Sequence, residues 1–267
     1  ILTSVIISVF FYSPIHASEN FITLVGTTST DNSGLYSRIL PLFTENTGIN
    51  VRVISVGTGR AINIAKNGDA DILLVHHRKS EDEFVAKGYG VKRHDVMYND
   101  FIIVGPRNDP ANTLNTKGAI EGLTQIASTK NLFVSRGDDS GTHKKELMIW
   151  RLASINVEKA SGGWYREAGA GMGATLNTAA AMFAYTLTDR GTWLNFKNQK
   201  GLRILVENDR LLKNPYGVIL INPIRHPHVK VKMGKKFIEW ITGKKGQKAI
   251  SSYRVNGRQA FFPNAKK

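Results

Sequence analysis

Three observations predict an α/β fold built as two lobes. Apolar, β-branched runs alternate with segments of helical periodicity from Phe21 onward. Two long apolar strands, Asp100–Arg107 and Tyr216–Pro223, each stop at a proline and flank a second block of strands and helices. Three polar Gly/Ser/Thr turns each join the end of a strand to the start of a helix. Alternation of this kind implies mostly parallel sheets covered by helices. The paired Pro-ended strands imply two crossings, the chain leaving the first lobe near Val104 and returning near Val218.

The elements follow in order. Phe21–Val25 reads as a strand. The next helix runs over about Leu35–Asn46, with Leu35, Ile39, Leu40 and Phe43 on one face and Gly48 closing it. Ile49–Val56 is a strand, Arg60–Lys66 a helix ending at Asn67-Gly68, and Asp71–Val75 a strand apolar enough for the centre of a parallel sheet. A short helix covers Glu81–Lys87. After the first crossing comes a polar segment, 108–131. The pattern resumes with strand Leu132–Val134, a helix over Gly141–Ala153, an Ala-rich helix over Thr175–Thr186 and a short strand, Leu202–Val206. Helices over Val229–Thr242 and Gly246–Tyr253 close the chain. The expected division is 18–105 with 216–267 for lobe I, and 106–215 for lobe II.

At 267 residues the chain is longer than one compact lobe needs, and its 42% hydrophobic content suffices for buried cores. Val5–Tyr12 is too short to span a bilayer, and Ile15-His16-Ala17 then offers a small residue at a cleavage point. Residues 1–17 therefore read as a secretory signal peptide whose basic leading end is not in this sequence, the alternative being a buried first element. No later stretch is long and apolar enough for a membrane span. The absence of Cys excludes disulfides, thiolate chemistry, Cys-based zinc sites and a lipid anchor on an N-terminal Cys, so a freely soluble exported protein is expected.

The net charge is +15. Its densest clusters, Lys144-Lys145, Lys230–Lys236 and Lys244–Lys248, lack the interleaved aromatics of a single-strand nucleic-acid platform. The charge reads as solvated surface with a secondary use in steering anions.

The three turns are Thr27–Gly34, Val56–Gly59 and Ser135–Thr142. The first backbone N–H groups of a helix lack internal partners and carry partial positive charge, which makes a strand–turn–helix junction an anion collector. Hydroxyls add donors. Ligands in open α/β sheets sit where such turns lie, beyond the carboxyl ends of the strands. Arg136 adds a planar fork of charged donors. Three such turns and one Arg point to a small anion held almost wholly by donors.

Several stretches resemble the tungstate-binding proteins of bacterial ABC importers. They are Thr27–Leu35, Val56–Gly59, Gly68–His76, Asp95–Phe101 and Arg136–Glu146, extended by Gly169–Gly173 and Ala184–Thr192. The resemblance covers most of the chain from Phe21 onward. It implies a type II periplasmic-binding-protein fold, with two lobes, a hinge of two strands and an oxyanion in the cleft. It places Thr27, Thr28 and Ser29 on the ligand from the first turn, Gly57 and Thr58 from the second, and Arg136, Ser140, Gly141 and Thr142 from the third. It implies a periplasmic, monomeric carrier that captures tungstate, or the closely similar molybdate, and hands it to a membrane permease driven by an ATPase. Neither a cofactor nor a resident metal is implied. The third turn also resembles the Arg…Ser-Gly-Thr loop of phosphate-binding proteins, which keeps a phosphate or sulfate carrier as the alternative.

Each motif has a competing reading. Arg136 either meets the ligand or pairs with Asp138 or Asp139. Of those two carboxylates, one is expected to cap the helix and one to brace Arg136; a third role is to accept a proton from a phosphate-like ligand. His76-His77 are adjacent on a strand and point to opposite faces, a poor chelate. Gly169–Gly173 lacks the phosphate-loop pattern and reads as a cleft loop. Arg190 reaches either the cleft or a surface ion pair. Ser140, His143 and Asp139 suggest a hydrolase, but a nucleophile, base and orienter within five residues have poor mutual geometry. A basic nucleic-acid binder is the remaining reading from another class.

Overall fold

The computed structural model describes residues 20–199 and 201–265; the expected signal peptide, 1–17, lies outside them. The chain builds β1 (Phe21–Thr27), α1 (Thr28–Asn32), α2 (Leu35–Thr47), β2 (Asn50–Val56), α3 (Thr58–Asn67), β3 (Ile72–Val75), α4 (Arg78–Ala86) and the long β4 (Gly90–Pro106). Then follow α5 (Ala119–Ser128), β5 (Phe133–Ser135), α6 (Gly141–Leu152), β6 (Tyr165–Glu167), α7 (Met172–Met182), β7 (Thr186–Asp189), α8 (Arg190–Asn195) and β8 (Leu202–Val206). The chain ends with β9 (Lys213–Ile221), α9 (Val231–Thr242), α10 (Lys244–Ser252) and the short strands β10 (Arg254–Val255), β11 (Arg258–Gln259) and β12 (Phe262–Pro263).

Among the described residues the first sheet runs β12-β4-β9-β3-β1-β2. β1 is parallel to β2 and β3, whereas β9 is antiparallel to both β3 and β4. The sheet is therefore mixed rather than parallel throughout. β3 is buried at every position, as its unbroken apolar run requires. Gly48 and Gly68, both left-handed, end α2 and α3 as their sequence positions imply.

β4 belongs to two sheets. Up to Asp100 it pairs with β9 (Asp100 opposite Lys213); from Phe101 it pairs with β7 and β8 (Phe101 opposite Asp189). The change of sheet thus falls at Asp100–Phe101, ahead of the crossing expected near Val104. Its cause is the strand's length. β4 starts at Gly90, where the sequence is too charged to read as a strand, because Arg93 lies buried against Glu81 and Asp95. Past the crossing, the period-two alternation of a strand divides its side chains between two apolar cores. Ile102 and Val104 pack into the first, and Phe101 and Ile103 pack with Phe133, Trp150 and Tyr185 in the second.

Three further elements depart from the sequence reading. α5 stands within the segment read as polar connection, presenting Ala119, Leu123 and Ile126 to the second core. α7 stops at Met182, where Phe183 takes a left-handed conformation, so Thr186–Asp189 is free to form β7 instead of prolonging the helix. α8 caps itself through Asp189, whose Oδ1 accepts the Thr192 N–H at 2.9 Å.

Candidate oxyanion site

β1 and β2 deliver the first two turns from one sheet, and β5 delivers the third from across the crossing. Thr27 closes β1. Its Oγ1 lies 2.8 Å from Thr30 Oγ1 and accepts from Ser29 Oγ at 3.2 Å, so the hydroxyls of this turn form one buried cluster. Thr28 Oγ1 is buried with no partner among the described residues. Gly57 precedes α3, and the buried Thr58 begins it.

The third turn meets the second directly. Gly141 N–H donates to Thr58 Oγ1 at 3.1 Å, so the first residues of α3 and α6 face one another. A Cβ on Gly141 would stand 2.7 Å from His76 Cε1 and 3.0 Å from Thr58 Oγ1; only glycine allows this approach. Ser140 caps α6, its Oγ accepting the His143 N–H at 3.1 Å. Thr142 is buried and its Oγ1 has no partner among the described residues.

Arg136 is 3% exposed. Its Nη2 donates to Asp138 Oδ2 at 2.5 Å, while its Nε is buried and unpartnered. Asp138 Oδ1 accepts the Ser140 N–H at 3.1 Å. One carboxylate therefore braces both Arg136 and the turn, and Ser140, not an Asp, caps the helix. Asp139 faces solvent and pairs with Lys144. This corrects the expected division of roles between the two aspartates. The reason is Asp139's left-handed backbone, φ 56°, which turns its side chain away from the helix start.

Other sequence candidates are placed elsewhere. Arg190 makes a two-point ion pair with Asp100, at 2.7 and 2.6 Å, and a third contact with Glu207 at 2.7 Å. It ties α8 to the crossing strand. His76 and His77 diverge: His76 turns inward, and His77 Nδ1 lies 2.7 Å from Ser80 Oγ at the start of α4. Gly169, Gly171 and Gly173 have open space where a side chain would stand. The His143 imidazole is occupied by the Asp139 N–H at 3.1 Å, while Ser140 Oγ meets the His143 backbone, which is a capping geometry rather than a nucleophile–base pair.

Sequence reasoning missed five buried polar residues around the turns. His76 Nε2 lies 3.1 Å from Ser29 Oγ, and its Nδ1 2.9 Å from Asn214 Oδ1. Asn214 Nδ2 donates to Asn99 Oδ1 at 2.7 Å, joining β9 to β4. Burial pushes the His76 imidazole down to about 3, so it is neutral at physiological pH. Asp189 is fully buried with Oδ2 unpartnered; burial raises its carboxyl, opposed by the Thr192 hydrogen bonds and by Arg136. Beneath the third turn, Glu146 accepts from Tyr165 OH at 2.7 Å and Trp150 Nε1 at 3.2 Å, and burial raises it to about 7. The sequence held one signal for these residues, polar side chains inside apolar strands, but their pairing depends on which strands adjoin.

Two apolar cores joined by one long strand, with unpartnered donors where turns from the two sides of the crossing meet, define a binding protein of the type II periplasmic class. The chain belongs to the PBP superfamily, whose domain profile matches residues 13–245. It is 48% identical over 254 residues to the tungstate-binding protein TupA of Peptoclostridium acidaminophilum, covering 94% of this chain and 88% of that one. Among solved structures it resembles the tungstate-binding protein TupA of Desulfovibrio alaskensis G20, with 42% identity, a TM-score of 0.80, and coverage of 92% of this chain and 99% of that one. It also resembles the tungstate ABC transporter structure from Geobacter sulfurreducens, with 48% identity, a TM-score of 0.81, and coverage of 88% and 99%. Among the described residues no helix is long and apolar enough to cross a membrane.

Proposed function

We propose that this chain is an extracytoplasmic solute-binding protein that captures tungstate, with molybdate as its close competitor, and delivers it to the permease and ATPase of an ABC importer. The observation that carries this reading is the set of buried, unpartnered donors on facing turns: Thr28 Oγ1, Arg136 Nε and Thr142 Oγ1. A deprotonated tetrahedral dianion accepts at every oxygen and asks only for donors. Burying such groups without partners is costly, and an oxyanion among them offsets that cost. The proposed contacts are Thr27, Thr28, Ser29, Gly57, Thr58, Arg136, Ser140, Gly141 and Thr142. Arg136 supplies the full positive charge, and the others supply neutral hydroxyls and amides. The two TupA proteins and the Geobacter sulfurreducens transporter structure support tungstate as the ligand. The reading includes a cleaved signal peptide, a periplasmic location, a monomer, and no catalysis.

A second reading, a phosphate carrier, has one observation in its favour. Asp189 Oδ2 is a buried oxygen without a donor, suited to the proton of a hydrogen phosphate. Calorimetric titration with tungstate, molybdate, sulfate and phosphate separates the two. Tungstate and molybdate binding with little response to phosphate is the expected result. Phosphate binding tighter than either overturns it.

A further inference from the structure

The buried polar chain behind the first turn has a direction, and that direction decides whether Ser29 has a proton to give. The chain runs Asn99, Asn214, His76, Ser29, from both crossing strands to the anion turn. With Asn214 Nδ2 donating to Asn99 Oδ1, Asn214 Oδ1 is the acceptor facing His76 Nδ1 at 2.9 Å. The single imidazole proton then sits on Nδ1. Nε2 becomes a lone pair that competes with Thr27 Oγ1, 3.2 Å away, for the single Ser29 hydroxyl proton. The same direction leaves the buried Asn99 Nδ2 without an acceptor.

A half-turn of both carboxamides is isosteric and reverses every link. Asn99 Nδ2 then donates to Asn214 Oδ1, and Asn214 Nδ2 to His76 Nδ1. The imidazole proton sits on Nε2 and donates to Ser29 Oγ. The ring stays neutral and carries one proton in either direction, so only its position changes. The reversal exchanges an orphaned N–H for an under-satisfied amide oxygen, which is the more readily tolerated of the two. It also releases the Ser29 proton from the imidazole, leaving Thr27 Oγ1, at the longer 3.2 Å, to compete with the anion for it.

We propose that His76 is a positioning residue of the oxyanion site, holding the Nε2–H tautomer through Asn214 and Asn99 so that Ser29 donates its hydroxyl proton to the bound anion. The proposal rests on the oxyanion-carrier reading above. It assigns the two asparagines of the crossing strands to ligand recognition, although the anion contacts neither.

The test is nitrogen NMR of the full chain, labelled with 15N at histidine and saturated with sodium tungstate. The His76 signal is identified by its loss in His76→Gln. The expected result is a protonated Nε2 and an unprotonated Nδ1; the opposite tautomer overturns the proposal. Affinities provide an independent measurement. Ser29→Ala is expected to weaken tungstate binding about tenfold to a hundredfold, on the scale of a hydrogen bond to a charged group. Asn214→Asp offers only an acceptor, holds the proton on Nδ1, and is expected to lose a similar factor. The double variant should lose little more than either single one. Independent, multiplying losses, or wild-type affinity in Ser29→Ala, overturn the proposal. Failure of the wild-type chain to bind tungstate, molybdate, sulfate or phosphate overturns the carrier reading itself, a result distinct from a bound anion with the wrong tautomer.

Discussion

At the scale of single residues, Arg136 separates two readings that the sequence left open, and the structure shows both sides of the guanidinium. Asp138 occupies Nη2, and Nε is buried without a partner. Truncating a buried, hydrogen-bonded charge costs about 2–5 kcal/mol, so Arg136→Ala should lose roughly thirtyfold to several-thousandfold in tungstate affinity by titration. Arg136→Lys keeps the charge, loses the planar fork and should recover only part. Wild-type affinity in Arg136→Ala would reduce the residue to a brace for Asp138. A second prediction concerns protons. Glu146 is raised from 4.5 to about 7 by burial, so between those values the unfolded chain binds fewer protons than the folded one at this group. Its contribution to stability is greatest below about 4.5 and is lost as pH rises through about 7. Glu146→Gln, neutral at every pH, should therefore gain in melting temperature relative to wild type as pH is raised from 4.5 to 7. A constant difference across that range would refute the assignment. His76 has the opposite sign: lowered to about 3, it contributes stability fully present above the ordinary histidine value and lost as pH falls below it. The comparison between variants, not the wild-type curve alone, isolates Glu146.

At the scale of elements, the meeting of α3 and α6 depends on the absence of one side chain. Gly141→Ala would place a methyl group 2.7 Å from His76 Cε1, and both neighbours, His76 after β3 and Thr58 after β2, come from the sheet opposite to the β5 turn. Overpacking of this kind costs roughly 1–3 kcal/mol, and here the strain is relieved by drawing the two turns apart. We expect tungstate affinity to fall about tenfold to a hundredfold, with the melting temperature in the absence of tungstate nearly unchanged and a less compact bound form by small-angle scattering. Wild-type affinity would show that the facing turns can shift without cost. Elements are also where the sequence was most and least legible. β1, β2, β3 and the three turns were readable because apolar runs and Gly/Ser/Thr punctuation are local signals. The first half of β4 was not, since Arg93, Glu81 and Asp95 neutralise one another only once β4 lies against α4. β7 was hidden because Phe183 ends α7 with a residue that carries no stop signal. The donors of the site were legible as residue types, while His76, Asn99, Asn214 and Asp189 depend on strand neighbours that no local pattern reveals.

At the scale of the whole molecule, an anion bridging turns from two sheets stabilises the folded chain by mass action. Tungstate at a thousand times its dissociation constant should add about 4 kcal/mol, read as a rise in melting temperature that sulfate does not reproduce. No shift with tungstate or molybdate would contradict the proposed ligand. The net charge of +15 acts over a longer range. It should raise the association rate at low salt and leave dissociation nearly untouched, a separation that stopped-flow measurements at two ionic strengths would reveal.

The order of strands in the larger sheet has a consequence for how the chain is made. β9 lies between β3 and β4, yet it is synthesised more than a hundred residues after β4 begins, Gly90 against Lys213. Until it arrives, the apolar edge of β3 has no partner on that side, and β4 has nothing to pair with before Phe101. The stretch from Phe101 to Val206 supplies β7 and β8 for its own end of β4 and can condense as it emerges. The amino-terminal half must wait as an incomplete template with its central slot open, and a late strand, β9, locks the first ones in place. On the exported-carrier reading proposed above, in which the chain is threaded through a membrane before folding, this delay is protective. Its beginning cannot finish folding while its end is still on the other side.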